Sequence, residues 1–283
     1  MSLVGFQGVA GAYSDEAAHH LFPEAETLGF PTFSEVFDAV ASEVVTAGVL
    51  PVENTVAGVV QEVSDLLWTH ETVHAVGEHV SPIRHVLMTT SDGPVRRALS
   101  HPQALAQCAE WLEANGIESV AFYDTAGAAA EIARSGQEGD GAIASRAAAE
   151  RYGLRVVVTD IANSDTNRTR FLILKSEPGV RGDPAGPNKI VLGFTTDHRP
   201  GALAEVMGVF TACSANLTRL DSRPVPHQPF RYRFYADCEV DGTRVAGLVS
   251  SLKAAAKEIR VFGCFESSEP SLTLWQDKAS GSH

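Results

Sequence analysis

The run Asn163-Ser164-Asp165-Thr166-Asn167-Arg168-Thr169-Arg170 turns directly into the apolar segment Phe171-Leu172-Ile173-Leu174. Its arginines carry fixed positive charge, its threonines carry hydroxyls and its asparagines carry amides. The mouth of an apolar strand could therefore hold an anionic small molecule and offer it hydrogen bonds. A polar loop leading into a strand accounts for the same composition, because loops collect solvent-facing and functional residues alike. Two further junctions resemble it. Leu3–Gln7 leads into Gly8-Val9-Ala10-Gly11-Ala12-Tyr13-Ser14, with Ser14 expected to cap a helix and nearby N–H groups free to cradle an anion. The spacing is GxxGxxG, which is not the dinucleotide pattern GxGxxG. Ala47–Val52 leads into Glu53-Asn54-Thr55, where Asn54 or Thr55 is expected to cap a helix marked by Val56, Val59, Val60 and Val63.

His70-Glu71-Thr72-Val73-His74 has the letters of a zinc-protease motif, which works when a helix brings both imidazoles to one face. Thr72 to Val76 favours a strand, so no metal is expected. His85 is expected to be a half-buried strand residue. The four cysteines, Cys108, Cys213, Cys238 and Cys264, form no CxxC pair and read as reduced packing residues of a cytoplasmic protein. The formal charge of −13 argues against a nucleic-acid surface, and no apolar run approaches membrane-span length.

With 283 residues, 44% of them hydrophobic, the chain has room for roughly two folded domains. Up to Lys175 short apolar strands alternate with amphipathic helices: Ser34 is expected to cap one, His101 to Asn115 to form another, and Asp124-Thr125 to cap an alanine-rich third. Gly141–Ser145 is expected as a strand leading to a helix over Arg146 to Tyr152. Such alternation predicts a parallel-rich α/β sheet, here in two lobes like those of a hinged periplasmic-binding protein with its ligand in the cleft. Domain 1–177 is followed by a Gly/Pro-rich linker over 178–188. Residues 189–270 carry the order βαββαβ of a ferredoxin-like domain, and 271–283 read as a tail.

Placed on these elements, five motifs resemble prephenate dehydratase with a C-terminal ACT regulatory domain. They are Gly8-x-x-Gly11-Ala12-Tyr13-Ser14, Pro51-Val52-Glu53-Asn54-Thr55-x-x-Gly58, His101-Pro102-Gln103-Ala104-Leu105-Ala106-Gln107-Cys108, Asn167-x-Thr169-Arg170-Phe171, and Pro200-Gly201-Ala202-Leu203 with Asp221-Ser222-Arg223-Pro224. The chain departs from the family at Val9, Thr55 and Asp221, where proline, serine and glutamate are common. The resemblance implies decarboxylative dehydration of prephenate to phenylpyruvate in phenylalanine biosynthesis, without metal or other cofactor. It implies Thr169 as donor to the departing hydroxyl, with Glu53, Asn54 and Thr55 at the reacting centre. Arg170 would clamp a carboxylate, with Ser14, Tyr13, Asn167 and Ser145 as further substrate contacts and Arg146 as a weaker candidate. In the second domain it implies a phenylalanine site from Asp197, Gly201, Ala202, Leu203, Asn216, Leu217, Ser222 and Arg223, completed in a homodimer or homotetramer. Arogenate as substrate, or a two-lobed sensor without catalysis, are the alternatives that these residues leave open.

Overall fold

The computed structural model describes residues 2–177 and 188–268. The expected linker and tail lie almost wholly outside the described residues. Two compact units emerge from the packing, Met1–Val60 with His79–Phe171, and Gln61–Glu78 with Leu172–His283.

In the first unit β1 (Leu3–Gln7), α1 (Tyr13–Leu21), β2 (Glu26–Phe30), α2 (Phe33–Ala41) and β3 (Ala47–Asn54) follow in sequence. β1 runs parallel to both β2 and β3, the pairing that helical crossovers require. The caps differ from expectation. Ala12 occupies the N-cap of α1, which places Ser14 inside the first turn. For α2 the cap is Thr32, whose hydroxyl accepts from the Glu35 N–H at 3.2 Å, and Ser34 is helical.

The helix expected after Asn54 is instead a hairpin, β4 (Gly58–Val59) folding back on β3. Asn54 Oδ1 accepts from the N–H groups of Val56 and Ala57, closing a side-chain turn, and Gly58 takes φ +82°. The helix begins later, as α3 (Gln61–Thr69), and β5 (His74–Pro82) follows. His70 therefore lies past the end of α3 and His74 opens a strand, as the local composition predicted.

The second sheet of this unit comprises β6 (Val86–Thr89), β7 (Arg97–Ser100), β8 (Glu118–Ala121), β9 (Asp140–Ala144) and β10 (Arg155–Val158) in the order β10-β6-β9-β7-β8. β7 pairs parallel with β8 and β9, whereas β6 pairs antiparallel with β9 and β10, so the sheet is mixed. The single helix expected from His101 to Asn115 is broken at Cys108 into α4 (Pro102–Gln107) and α5 (Ala109–Ala114). Asp124 caps α6 (Thr125–Ser135) and Ser145 caps α7 (Arg146–Tyr152). α6 packs on β9 around Ala128, Ala129, Ile132 and Ala142, all buried. β11 (Arg168–Lys175) carries the chain on, and its first half belongs to this unit.

In the second unit β12 (Lys189–Thr195), α8 (Ala202–Ala212), β13 (Asn216–Pro224), β14 (Tyr232–Glu239), α9 (Val245–Ala255) and β15 (Glu258–Phe265) give the expected βαββαβ order. The strands lie β13-β14-β12-β15, antiparallel throughout. Ile190, Phe194, Val206, Phe210, Leu248 and Leu252 fill the core between helices and sheet. α3 and the start of β5 also belong here, so this unit draws in residues well ahead of the boundary at 177. Trp68 packs edge-on to Phe262 and carries the Arg233 guanidinium 4.0 Å above its ring. Asp65 accepts from Tyr235 Oη at 2.8 Å and from Arg223 Nη2 at 2.8 Å. Among the described residues no helix is long and apolar enough to cross a membrane.

Candidate active site

The hairpin at Asn54 and the entrance to β11 meet within the first unit. With its oxygen held by the two backbone N–H groups, Asn54 turns Nδ2 outward. That nitrogen donates to Asn167 Oδ1 at 2.8 Å and to Thr169 Oγ1 at 2.9 Å, with the Arg168 carbonyl at 3.1 Å. Because Thr169 Oγ1 receives a hydrogen from Asn54, its own proton is directed away from Asn54. Thr169 and Asn167 are buried, so these bonds act where water competes little.

Thr55 has a different task. Its hydroxyl donates to the Thr166 carbonyl at 3.1 Å and accepts from the Arg168 N–H at 3.0 Å. Its own N–H donates to the Arg168 carbonyl, so Thr55 stitches the hairpin to β11. Glu53 sits in the β3–β4 ladder opposite Val59. Arg170 follows Thr169 on a strand where successive side chains leave opposite faces, so the two do not project into the same space.

The Ser145 hydroxyl donates to the Gly11 carbonyl at 2.8 Å and accepts from the Ala148 N–H at 3.0 Å. That bond ties the glycine turn to the start of α7, and Gly11 must be glycine there: its φ is +85° and a Cβ would stand 2.8 Å from Ala148 Cα. The Gly11 N–H donates to the chain's own Asp15 Oδ2 at 2.8 Å, so this amide of the expected anion cradle is already engaged. Ser14 is buried in α1.

Tyr13 reaches the segment just ahead of β6. Its hydroxyl lies 2.9 Å from the Arg84 carbonyl and 2.8 Å from His85 Nδ1. His85 is 2% exposed and precedes β6, in place of the half-buried strand position expected for it. Its Nε2 lies 2.8 Å from Gln107 Oε1, which also accepts from Asn167 Nδ2 at 2.9 Å. A continuous hydrogen-bonded line thus runs from Tyr13 through His85, Gln107, Asn167 and Asn54 to Thr169. Burial raises the Tyr13 phenol well above its ordinary range, with Glu16 and Cys108 adding to the effect, and lowers the His85 imidazolium. Both groups are therefore neutral near pH 7.

Neither Gln107, quoted above only within a motif, nor His85, expected only as a strand residue, stands among the site residues that the sequence suggests. The signal available for Gln107 was its spacing of four from Gln103 on a short helix, which puts both amides on one face. Gln103 and Gln107 line a cavity of about 230 Å³ whose walls also include Val56, Ala57, Asn163 and Asn167. It is suited to a ligand smaller than a drug molecule.

In the second unit Asp197, Gly201, Ala202 and Leu203 line one groove of about 770 Å³ between β12 and α8, together with Arg199 and Met207. Asn216, Leu217, Ser222 and Arg223 lie along β13 instead. Arg223 is committed to α3, donating to Asp65 and to Gln61 Oε1 at 2.6 Å.

Fold and site define a class, an α/β protein with a hydrogen-bonded cluster of amide and threonine side chains at a small cavity. The family profile described as prephenate dehydratase matches residues 4–179. The chain is 38% identical to arogenate dehydratase 2 of Petunia hybrida, covering 93% of this chain and 71% of that protein. It is 34% identical to the prephenate dehydratase of Amycolatopsis methanolica, covering 94% and 88%. Among solved structures it resembles GqqA, described as a novel type of quorum quenching acylase, with TM-score 0.87 at 30% identity over 94% of this chain and 98% of that one. The prephenate dehydratase of Arthrobacter aurescens, solved in complex with L-Phe, shares the fold with TM-score 0.86 at 23% identity over 99% and 100%. The chain belongs to the prephenate dehydratase family.

Proposed function

We propose that the chain converts prephenate to phenylpyruvate and that Thr169 is its hydroxyl donor. The observation carrying this reading is the direction of the Asn54–Thr169 hydrogen bond, which leaves the threonine proton pointing away from Asn54, while Asn167, bonded to the same Asn54 nitrogen, lines the cavity with Gln107. In the reaction the bond between the ring and its carboxylate breaks and carbon dioxide leaves. The electron pair moves into the ring, the ring carbon–hydroxyl bond breaks, and the hydroxide leaves as water after gaining one proton. No net oxidation occurs. The chain's share is to hold the substrate, exclude water and hydrogen-bond the departing oxygen. Arg170 leaves the other face of β11, so Arg170→Lys is expected to leave KM unchanged, and a raised KM would restore the carboxylate clamp that the resemblance implied.

Arogenate is the second substrate to weigh, favoured by the name of the Petunia hybrida relative. It differs by an amine in place of the side-chain ketone. Purified protein supplied with each compound in turn decides between them, phenylpyruvate being read by its ultraviolet absorbance and phenylalanine by chromatography. Turnover of neither would remove the enzyme reading and leave the sensor. An acyl-amide substrate, prompted by the acylase of like fold, serves as a third arm of the same assay.

The groove between β12 and α8 supports an ACT-type phenylalanine site built on Asp197 and the N-terminus of α8, with feedback control of turnover. An assembly of two or four copies would complete it. Calorimetry of the full chain with phenylalanine tests this, and absence of binding together with uninhibited turnover would refute it. The free cysteines support a reducing, cytoplasmic setting, which fractionation of the source cells would test.

A further inference from the structure

The hydrogen-bond directions in the buried line can be settled one after another, starting from Asn54. The N–H groups of Val56 and Ala57, 3.0 and 2.8 Å away, both donate to a single atom of its amide, which must be the oxygen. Its nitrogen therefore faces Asn167, and the Asn167 atom that accepts at 2.8 Å is the oxygen. That leaves the Asn167 nitrogen towards Gln107, where the acceptor at 2.9 Å is Oε1. An amide oxygen carries no hydrogen. The ring nitrogen of His85 that stands 2.8 Å from the same oxygen must therefore supply one.

We infer that His85 is a positioning residue, held as the neutral Nε2–H tautomer, and that its single N–H fixes the Gln107 oxygen that orients Asn167, Asn54 and so Thr169. The other ring nitrogen is then bare and accepts from Tyr13 Oη at 2.8 Å. The Tyr13 proton thus points at the imidazole, and the Arg84 carbonyl, 2.9 Å from the same oxygen, is a secondary acceptor. A second proton on the ring would reverse the Tyr13 bond and place a charge where burial leaves 2% exposure. The inference names the tautomer and job of a histidine outside the cavity wall. Its kinetic part rests on the dehydratase reading above, and its tautomer part does not.

The test uses the full chain with 15N-labelled histidine. Two-bond proton–nitrogen correlation spectra at pH 7.5 distinguish the two neutral tautomers from the imidazolium. The His85 signals are assigned by their loss in His85→Gln and, independently, by the displaced Nδ1 resonance in Tyr13→Phe. The expected pattern is protonated Nε2 with bare Nδ1. A protonated Nδ1, alone or with Nε2, overturns the inference. The kinetic arm compares two amides: glutamine can place an N–H where Nε2 stood, whereas asparagine reaches only the Nδ1 position. His85→Gln is expected to retain at least about tenfold more kcat than His85→Asn, with KM separating them by less than about threefold. Equal losses of kcat in two variants of equal thermal midpoint would overturn the positioning role. Failure of the parent to turn over either substrate would defeat the dehydratase reading, and the spectra would still decide the tautomer.

Discussion

A threonine hydroxyl is a weak acid, and nothing in the Thr169 environment makes it a free source of protons. What the structure gives it is direction. Asn54 donates to Thr169 Oγ1, leaving the hydroxyl one proton and a restricted set of directions for it. Thr169→Val keeps the shape and removes that donor. The expected loss of kcat is roughly 100-fold or more, with a partial return in Thr169→Ser, measured as steady-state turnover. A kcat within a few-fold of the parent in Thr169→Val would end the donor role. His85 gives a second prediction, in stability. Burial holds its folded pKa below the ordinary 6.5, so as pH falls the unfolded chain takes up a proton first. The contribution is fully present above about 6.5 and is lost progressively as pH falls through that value. His79 shifts in the same direction by burial, with His20 adding to it, so the parent carries at least two such groups. His85→Gln removes one of them. Between pH 7.5 and 5.5 its thermal midpoint is expected to fall less than that of the parent. An equal or steeper fall would show that His85 is not a source of that dependence.

At the scale of elements, the α3 helix is held by a fitted contact. Gly193 on β12 lies under the Trp68 ring, and a Cβ there would stand 2.8 Å from Phe262 Cζ and 2.9 Å from the Trp68 ring atoms. Gly193→Ala is expected to cost about 1–3 kcal/mol through overpacking, read as a lower denaturant midpoint with unchanged slope. A neutral result would mean that Trp68 can move aside freely. Most elements were legible from apolar runs and turn residues: the βαββαβ order, the cap at Asp124 and the helix end at Asn115. The hairpin after Asn54 was not. Val56, Val59, Val60 and Val63 do repeat at helical spacing, but Asn54 Oδ1 takes two backbone hydrogens and Gly58 adopts a positive φ, and together these override the pattern. Short strands β2 and β7 escaped because four or five residues carry too little periodicity to read. The site was half legible for a related reason. Asn54, Thr55, Asn167 and Thr169 stand beside recognisable strands. His85 acquires its role through Tyr13 and Gln107, 72 and 22 residues away in the chain, which its own sequence neighbours do not reveal.

For the whole molecule, the units of packing and the units of sequence do not coincide. The family profile ends at residue 179, near the boundary expected at 177, yet residues 61–78 pack with the βαββαβ unit. Val63, Leu67, Val73 and Ala75 in that stretch are at most 1% exposed. Asp65, Trp68 and the carbonyl of His70 accept or stack against Tyr235, Phe262 and Arg260. A chain cut after 177 would lose all three of those partners and uncover a patch of α3 and β5. Burying one aliphatic side chain of valine or leucine size contributes about 1.5–3 kcal/mol, so several together rival the net stability of a domain. The fragment 1–177 is therefore expected to aggregate or to unfold without a cooperative transition, whereas the full chain melts cooperatively. Restoring 178–283 as a separate chain is expected to rescue solubility if the two fragments reassemble. A fragment 1–177 that melts cooperatively within about 5 °C of the full chain would show instead that residues 61–78 find adequate cover without the second unit, and that the boundary in the sequence is also the boundary of folding.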